Sequence, residues 1–115
     1  MFALTSAHQY YLYTGITDMR KEFNGLYGLV LGELKRDPST GEVYIFINKR
    51  RNQLKILHWE QGGFVLYCKR LERGTFEMLS FNESGKCFNI SWPQLVMMVE
   101  GISTKYIVRR KRYTK

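Results

Sequence analysis

Three runs in which apolar side chains dominate alternate with polar breaks across the middle of the chain: Val43 to Asn48 (VYIFIN), Leu54 to Glu60 (LKILHWE) and Phe64 to Arg70 (FVLYCKR). Their β-branched and aromatic residues suit a pleated, half-buried surface, so each is predicted to be a strand. The breaks are a basic loop, Lys49-Arg50-Arg51-Asn52, and a glycine turn, Gln61-Gly62-Gly63. An up, down, up meander brings the first loop and the end of the third strand to one edge of the sheet. Lys49, Arg50 and Arg51 then approach Lys69, Arg70 and Arg73, and that rim is strongly positive. Folding the second hairpin about Gly62-Gly63 sets Trp59 opposite Leu66, Leu57 opposite Cys68 and Lys55 opposite Arg70. The face they share is apolar near the turn and cationic at the far end, and the other carries Ile56, His58, Val65, Tyr67 and Lys69.

The flanking segments complete an α+β pattern. Gln9 to Tyr13 is short, aromatic and strand-like, and Thr14-Gly15 breaks it. A helix is predicted next, capped by Thr17 or Asp18, with Phe23, Leu26, Val30 and Leu34 at three- to four-residue spacing and Met19 behind them as its apolar face. Gly25, Gly28 and Gly32 fall inside it. They make a weak helix, each costing up to about 1 kcal/mol relative to alanine, or they admit another backbone close to that face. Residues 35–41 read as a loop around Asp37-Pro38 and Gly41. A fourth strand is predicted over Thr75 to Phe81, a turn at Asn82-Glu83-Ser84-Gly85, and a fifth strand over Lys86 to Ile90. Ser91-Trp92-Pro93-Gln94 matches a capping box, opening a short helix with Leu95, Met98 and Val99 inward and Gly101 as its left-handed end. Met97 and Met98 read as core filler rather than a binding face. The expected fold is a single α+β domain over residues 1–104: a mainly antiparallel meander sheet of about five strands, one helix on its N-terminal side and one short helix on its C-terminal side. Residues 105–115 form a basic arm.

At 115 residues such a chain hides roughly two-thirds of its unfolded surface on folding, which suffices for one core. Its 44% hydrophobic and 15% aromatic content argues for an ordered globule. No run approaches the roughly 18 apolar residues of a membrane span, and Met1 to His8 lacks a basic start and a long apolar stretch. A soluble, cytoplasmic protein without a membrane partner is expected. Cys68 and Cys87 make no CxxC pair and are expected to be small buried apolar groups. With only His8 and His58 beside them, the spacing of a zinc site is absent, and no metal is expected. Net charge is +8, and its placement is uneven: residues 1–48 carry −1, 49–73 carry +5, 74–104 carry −2 and 105–115 carry +6. Such a surface attracts polyanions, whether nucleic acid or an acidic protein.

Catalytic chemistry finds no support. Metal-dependent phosphoryl transfer needs carboxylates converging on paired ions about 4 Å apart, whereas Asp18 reads as a helix cap, Asp37 as a turn residue, and the glutamates are interleaved with basic residues. His58 sits on a strand without a placed nucleophile and reads as a partly buried imidazole beside Tyr67. No glycine loop has phosphate-cradle spacing, so no catalytic residue, cofactor or small-molecule substrate is expected. Nucleic-acid binding is better supported, with Lys49, Arg50, Arg51, Lys55, Lys69, Arg70, Arg73, Lys105, Arg109, Arg110, Lys111 and Arg112 as its candidate residues. An arm neutralising six phosphates gives a salt slope of about −5 on duplex DNA, and Arg50 and Arg51 suit paired contacts to phosphate or guanine. The bland alternative is a solvated cationic surface that aids solubility.

The run Thr14 to Leu26 (TGITDMRKEFNGL) contains a TDMRKxFxGL signature, and further matches follow in Val43 to Arg51, Leu54 to Glu60, Gly63-Phe64, Lys69 to Phe76 and Leu95 to Ile102. In these motifs and their order the chain resembles the TnpB accessory proteins of IS66-type bacterial insertion sequences, a family distinct from the RNA-guided nuclease of the same name. It departs from the family pattern at Met78-Leu79, where a tryptophan-proline pair is common, and at His58-Trp59, where a tryptophan pair is. The resemblance implies a non-catalytic accessory of DNA transposition. Taken with the basic rim and arm, it makes DNA at the element ends, or the complex assembled there, and the element-encoded transposase the expected partners. The alternative is a protein-interaction module that docks on the transposase through the glycine-lined helix or an exposed sheet edge, without touching DNA.

Overall fold

The computed structural model describes residues 4–77 and 85–100. Five strands form one sheet: β1 (Tyr10–Tyr13), β2 (Val43–Ile47), β3 (Gln53–Glu60), β4 (Gly63–Arg70) and β5 (Cys87–Ile90), in the order β4-β3-β2-β1-β5. β2, β3 and β4 make the expected meander, β1 runs parallel to β2, and β5 closes the other edge antiparallel to β1. Helix α1 (Phe23–Leu29) continues as a π-helical turn (Val30–Leu34), and α2 (Trp92–Val99) follows β5. The fold is α+β, as the pattern predicts.

Alternation along the strands divides the core into two layers. On one face Tyr10, Leu12, Val43, Ile45, Ile47, Leu54, Ile56 and Ile90 pack against Leu95, Met98 and Val99 of α2. On the other, Tyr13, Tyr44, Phe46 and Leu57 pack against Leu26, Val30 and Leu34 of the α1 segment. A two-sided sheet explains why β2 is buried at every position, since a strand covered by helices on both faces has no water-facing side.

The β3–β4 turn is centred on Gln61 and Gly62, whose φ angles of 45° and 86° are the left-handed pair of a two-residue hairpin turn. Trp59 therefore faces Phe64, Leu57 faces Leu66 and Lys55 faces Cys68. The expected partners are each displaced by two residues, because that expectation put the turn one position too late. A two-residue offset keeps every side chain on its face, so the predicted faces stand.

Two of the expected elements change. The first helix does not start at Thr17 or Asp18. The Asp18 carboxylate accepts the Arg20 amide at 2.9 Å and closes a local turn, the competition with helix that aspartate side chains offer, and the helix begins at Phe23 after an N-cap, Glu22, that makes no side-chain capping bond. Phe23 consequently sits at the free end and is 43% exposed, while Leu26, Val30 and Leu34 are buried. A Cβ added at Gly28 or Gly32 would meet nothing within 4 Å. No backbone crosses there, and the glycines weaken the helix, which relaxes into a π turn and stops at Lys35 with φ 56°. Thr75 to Glu77 is not strand. Phe76 instead plugs the α2-side core, its amide bonded to the Arg51 carbonyl at 2.7 Å, and Gln9 to Tyr13 supplies the strand that this segment does not. The remainder of that predicted strand, the turn at residues 82–84, the Gly101 cap and the 105–115 arm lie outside the described residues.

The capping box forms as predicted: Gln94 donates its amide to Ser91 Oγ at 3.2 Å, and Ser91 donates its amide to Gln94 Oε1 at 2.8 Å. Cys87 is half-buried, but Cys68 is exposed, on the edge strand β4.

Candidate nucleic-acid interface

The loop between β2 and β3 is built by one side chain. Asn48 Oδ1 accepts the amides of Asn52 and Gln53, both at 3.0 Å, and Asn48 Nδ2 donates to Asn52 Oδ1 at 2.8 Å. Arg51 closes it in a left-handed conformation, φ 57°. Two backbone bonds then fasten the following chain to this loop: Leu71 donates to the Asn52 carbonyl and Phe76 to the Arg51 carbonyl, each at 2.7 Å. Lys49, Arg50, Arg51, Arg70 and Arg73 thus share one end of the sheet, all exposed. Arg70 is partly neutralised by Glu72, with Nε 3.5 Å from its carboxylate.

Two of the candidate lysines spend their charge internally. Lys55 is 6% exposed. Its ammonium donates to the Lys21 carbonyl at 2.8 Å and pairs with the Glu22 carboxylate, pinning the start of α1 to β3. Lys69 points to the opposite face and donates to the Val99 carbonyl at 2.7 Å, satisfying one of the free carbonyls at the end of α2. Neither ammonium belongs to the rim surface. Lys105, Arg109, Arg110, Lys111 and Arg112 lie outside the described residues.

The loop forms one wall of a shallow cleft of about 530 Å³ whose other wall is residues 16–20. Asp18 and Arg20 are clamped together there, with Arg20 Nη2 2.7 Å from Asp18 Oδ2 and Nε 3.1 Å from both oxygens. Those bonds, with the Arg20 amide, hold the exposed Asp18 carboxyl down at about 2. Thr17 donates its amide to the Ile47 carbonyl at 3.2 Å, and its buried hydroxyl finds no partner. A second depression of about 320 Å³ shares Met19 and Gln53 with the first and continues to Arg70 and Glu72. Arg20 and Ile16 escape a reading that places residues 17–34 in one helix. The signal that would find them is the aspartate two residues before the arginine, the spacing of a side-chain-closed turn.

Far along β3, His58 is 3% exposed, more buried than expected. Its ring lies edge-on to His8 with centroids 4.8 Å apart, and Nε2 is 3.8 Å from Glu60. Burial, then the neighbouring His8, lowers its basicity below the ordinary 6.5. Among the described residues no group of three or more histidine, cysteine, aspartate or glutamate side chains converges as metal ligands do. None of their helices is long and apolar enough to cross a membrane.

Fold and rim together define a small α+β protein with a polarised basic surface. The chain belongs to the family described as IS66 Orf2-like protein, whose match spans residues 8–109, and so to the TnpB accessory family of IS66-type insertion sequences. The family is transposition-associated and accessory, and is not a known catalytic one. Two similar proteins come from Sinorhizobium fredii. The uncharacterized protein y4jC is 31% identical over 100 residues, covering 85% of this chain and 84% of its own. The uncharacterized protein y4hO is 36% identical over 103 residues, covering 89% and 87%. No solved structure matches the chain.

Proposed function

We propose that the protein is a non-catalytic, cytoplasmic accessory of transposition that binds duplex DNA at the element ends through the rim of Lys49, Arg50, Arg51, Arg70 and Arg73, extended by the basic residues of 105–115. The observation that carries this reading is the pair of backbone bonds from Leu71 and Phe76 to the basic loop. They hold two cationic segments, distant in sequence, at one exposed end of the sheet. Fixed cations release condensed counterions from a phosphate backbone without first losing loop entropy. Fluorescence anisotropy with an element-end duplex at several salt concentrations tests it. If four rim cations each neutralise one phosphate, replacing Lys49, Arg50, Arg51 and Arg70 with serine reduces the salt slope by about 3.6. An unchanged slope refutes the assignment.

A second reading is favoured by one observation: Phe23, at the free end of the α1 stripe, and Leu31 of the same segment are 43% and 44% exposed. Apolar side chains on a helix surface suit docking against the transposase. Co-purification after nuclease treatment, lost in the Phe23→Ser, Leu31→Ser double variant and kept in the rim variant, would support docking in place of DNA contact.

A further inference from the structure

The most exposed large apolar side chain among the described residues is Ile16, 68% accessible, and it stands among charges. It shares the 530 Å³ cleft with Lys49, Arg50 and the Asp18–Arg20 ion pair. Its position is fixed from both sides. A Cβ on the preceding Gly15 would lie 2.3 Å from the Tyr13 hydroxyl oxygen, so that backbone is seated directly on the ring. On the following side the Thr17 amide is bonded to Ile47, and the Asp18–Arg20 clamp closes the turn. The side chain is therefore presented on an ordered, β-sheet-anchored turn. Solitary exposed apolar residues are common and need no account. This one differs in being presented on a sheet-bonded turn beside Lys49 and Arg50.

That combination matches the chemistry of a groove wedge: an aliphatic side chain pressed against a base step, flanked by cations on the backbone phosphates, which unstacks the step and kinks the duplex. Isoleucine is among the residue types used in this way. Uncharged and unable to hydrogen-bond through its side chain, it contributes little to backbone attraction. We infer that the cleft between residues 16–20 and 48–50 seats a DNA duplex with Ile16 as an apolar wedge, flanked by phosphate contacts from Lys49 and Arg50, so that binding bends the DNA. This rests on the DNA-binding reading above and adds to it a shape-changing activity and a contact surface outside the rim.

The test uses the full chain and a short duplex carrying a donor and an acceptor dye at its ends, with anisotropy read on the same samples. The expected result is that wild-type protein raises energy transfer, that Ile16→Ala returns it to the free-duplex value with roughly tenfold weaker binding, and that Ile16→Leu restores the bend. Ser6→Ala, a change at an exposed position elsewhere, leaves both signals unchanged. Binding without any change in energy transfer overturns the wedge and leaves the rim reading intact, whereas absence of binding overturns both. Full binding and bending by Ile16→Ala, with loss of transposase co-purification in that variant alone, overturns the wedge and assigns the patch to protein docking.

Discussion

Lys55 shows why a charged residue cannot be assigned to a surface from its type alone. On a strand buried over both faces its ammonium is retained by the Lys21 carbonyl and the Glu22 carboxylate, and removing it leaves both acceptors without their donor. Lys55→Met is expected to lower unfolding free energy by about 1–3 kcal/mol while leaving DNA affinity within about twofold, because one fewer exposed charge is not what changes. Urea unfolding and anisotropy on the same variant separate the two effects. Arg51 presents the opposite case. Its left-handed φ of 57° costs a non-glycine residue roughly 1 kcal/mol, so Arg51→Gly is expected to hold or raise the melting temperature. If the residue contacts one phosphate, the variant also loses about 0.9 of salt slope. A large loss of stability would mean that its side chain anchors the loop.

At the scale of elements, the first helix is the least regular part of the molecule. The predicted apolar stripe at Leu26, Val30 and Leu34 is buried as expected, since burial periodicity survives a weak helix. An aspartate that caps a helix and one that closes a turn look alike in sequence, so the pattern predicts too early a start; Arg20 within its reach decides between them. Gly28 separates the two readings of the glycines directly. With open space where its Cβ would stand, Gly28→Ala is expected to stabilise by up to about 1 kcal/mol, or several degrees in melting temperature. Destabilisation of similar size would mean that another segment passes close to the helix.

The whole molecule couples its two cores through one sheet, and His58 lies in that sheet with an imidazole that burial makes harder to protonate. The unfolded chain takes up this proton near the ordinary 6.5, the folded chain only at lower pH. Protons therefore favour unfolding. His58 contributes no pH dependence well above 6.5, and stability falls as pH drops from there toward the lowered folded value. Thermal melts across pH 7.5 to 5 are expected to show this decline, and His58→Gln to flatten it; an unaltered slope would assign the decline to other groups.

The strands of the meander, the capping box of α2, the two-face division of the hairpin and the family motifs were all legible from residue order, because each depends on local propensity or on a period of two or 3.6 that neighbouring residues carry. Proximity of the basic loop to the end of β4 was legible for the same reason: a meander returns every second connection to one edge. What only the tertiary structure decided were matters of partnership. It separated the exposed arginines from Lys55 and Lys69, whose ammonium groups meet carbonyls 34 and 30 residues away, inserted β1 between β2 and β5, and drew Phe76 out of a predicted strand into the core. It also set Ile16 and Arg20 across a cleft from Lys49 and Arg50. Periodicity records which face a side chain takes; what it meets there depends on segments far away in the chain, and so does whether a positive charge remains available to a phosphate.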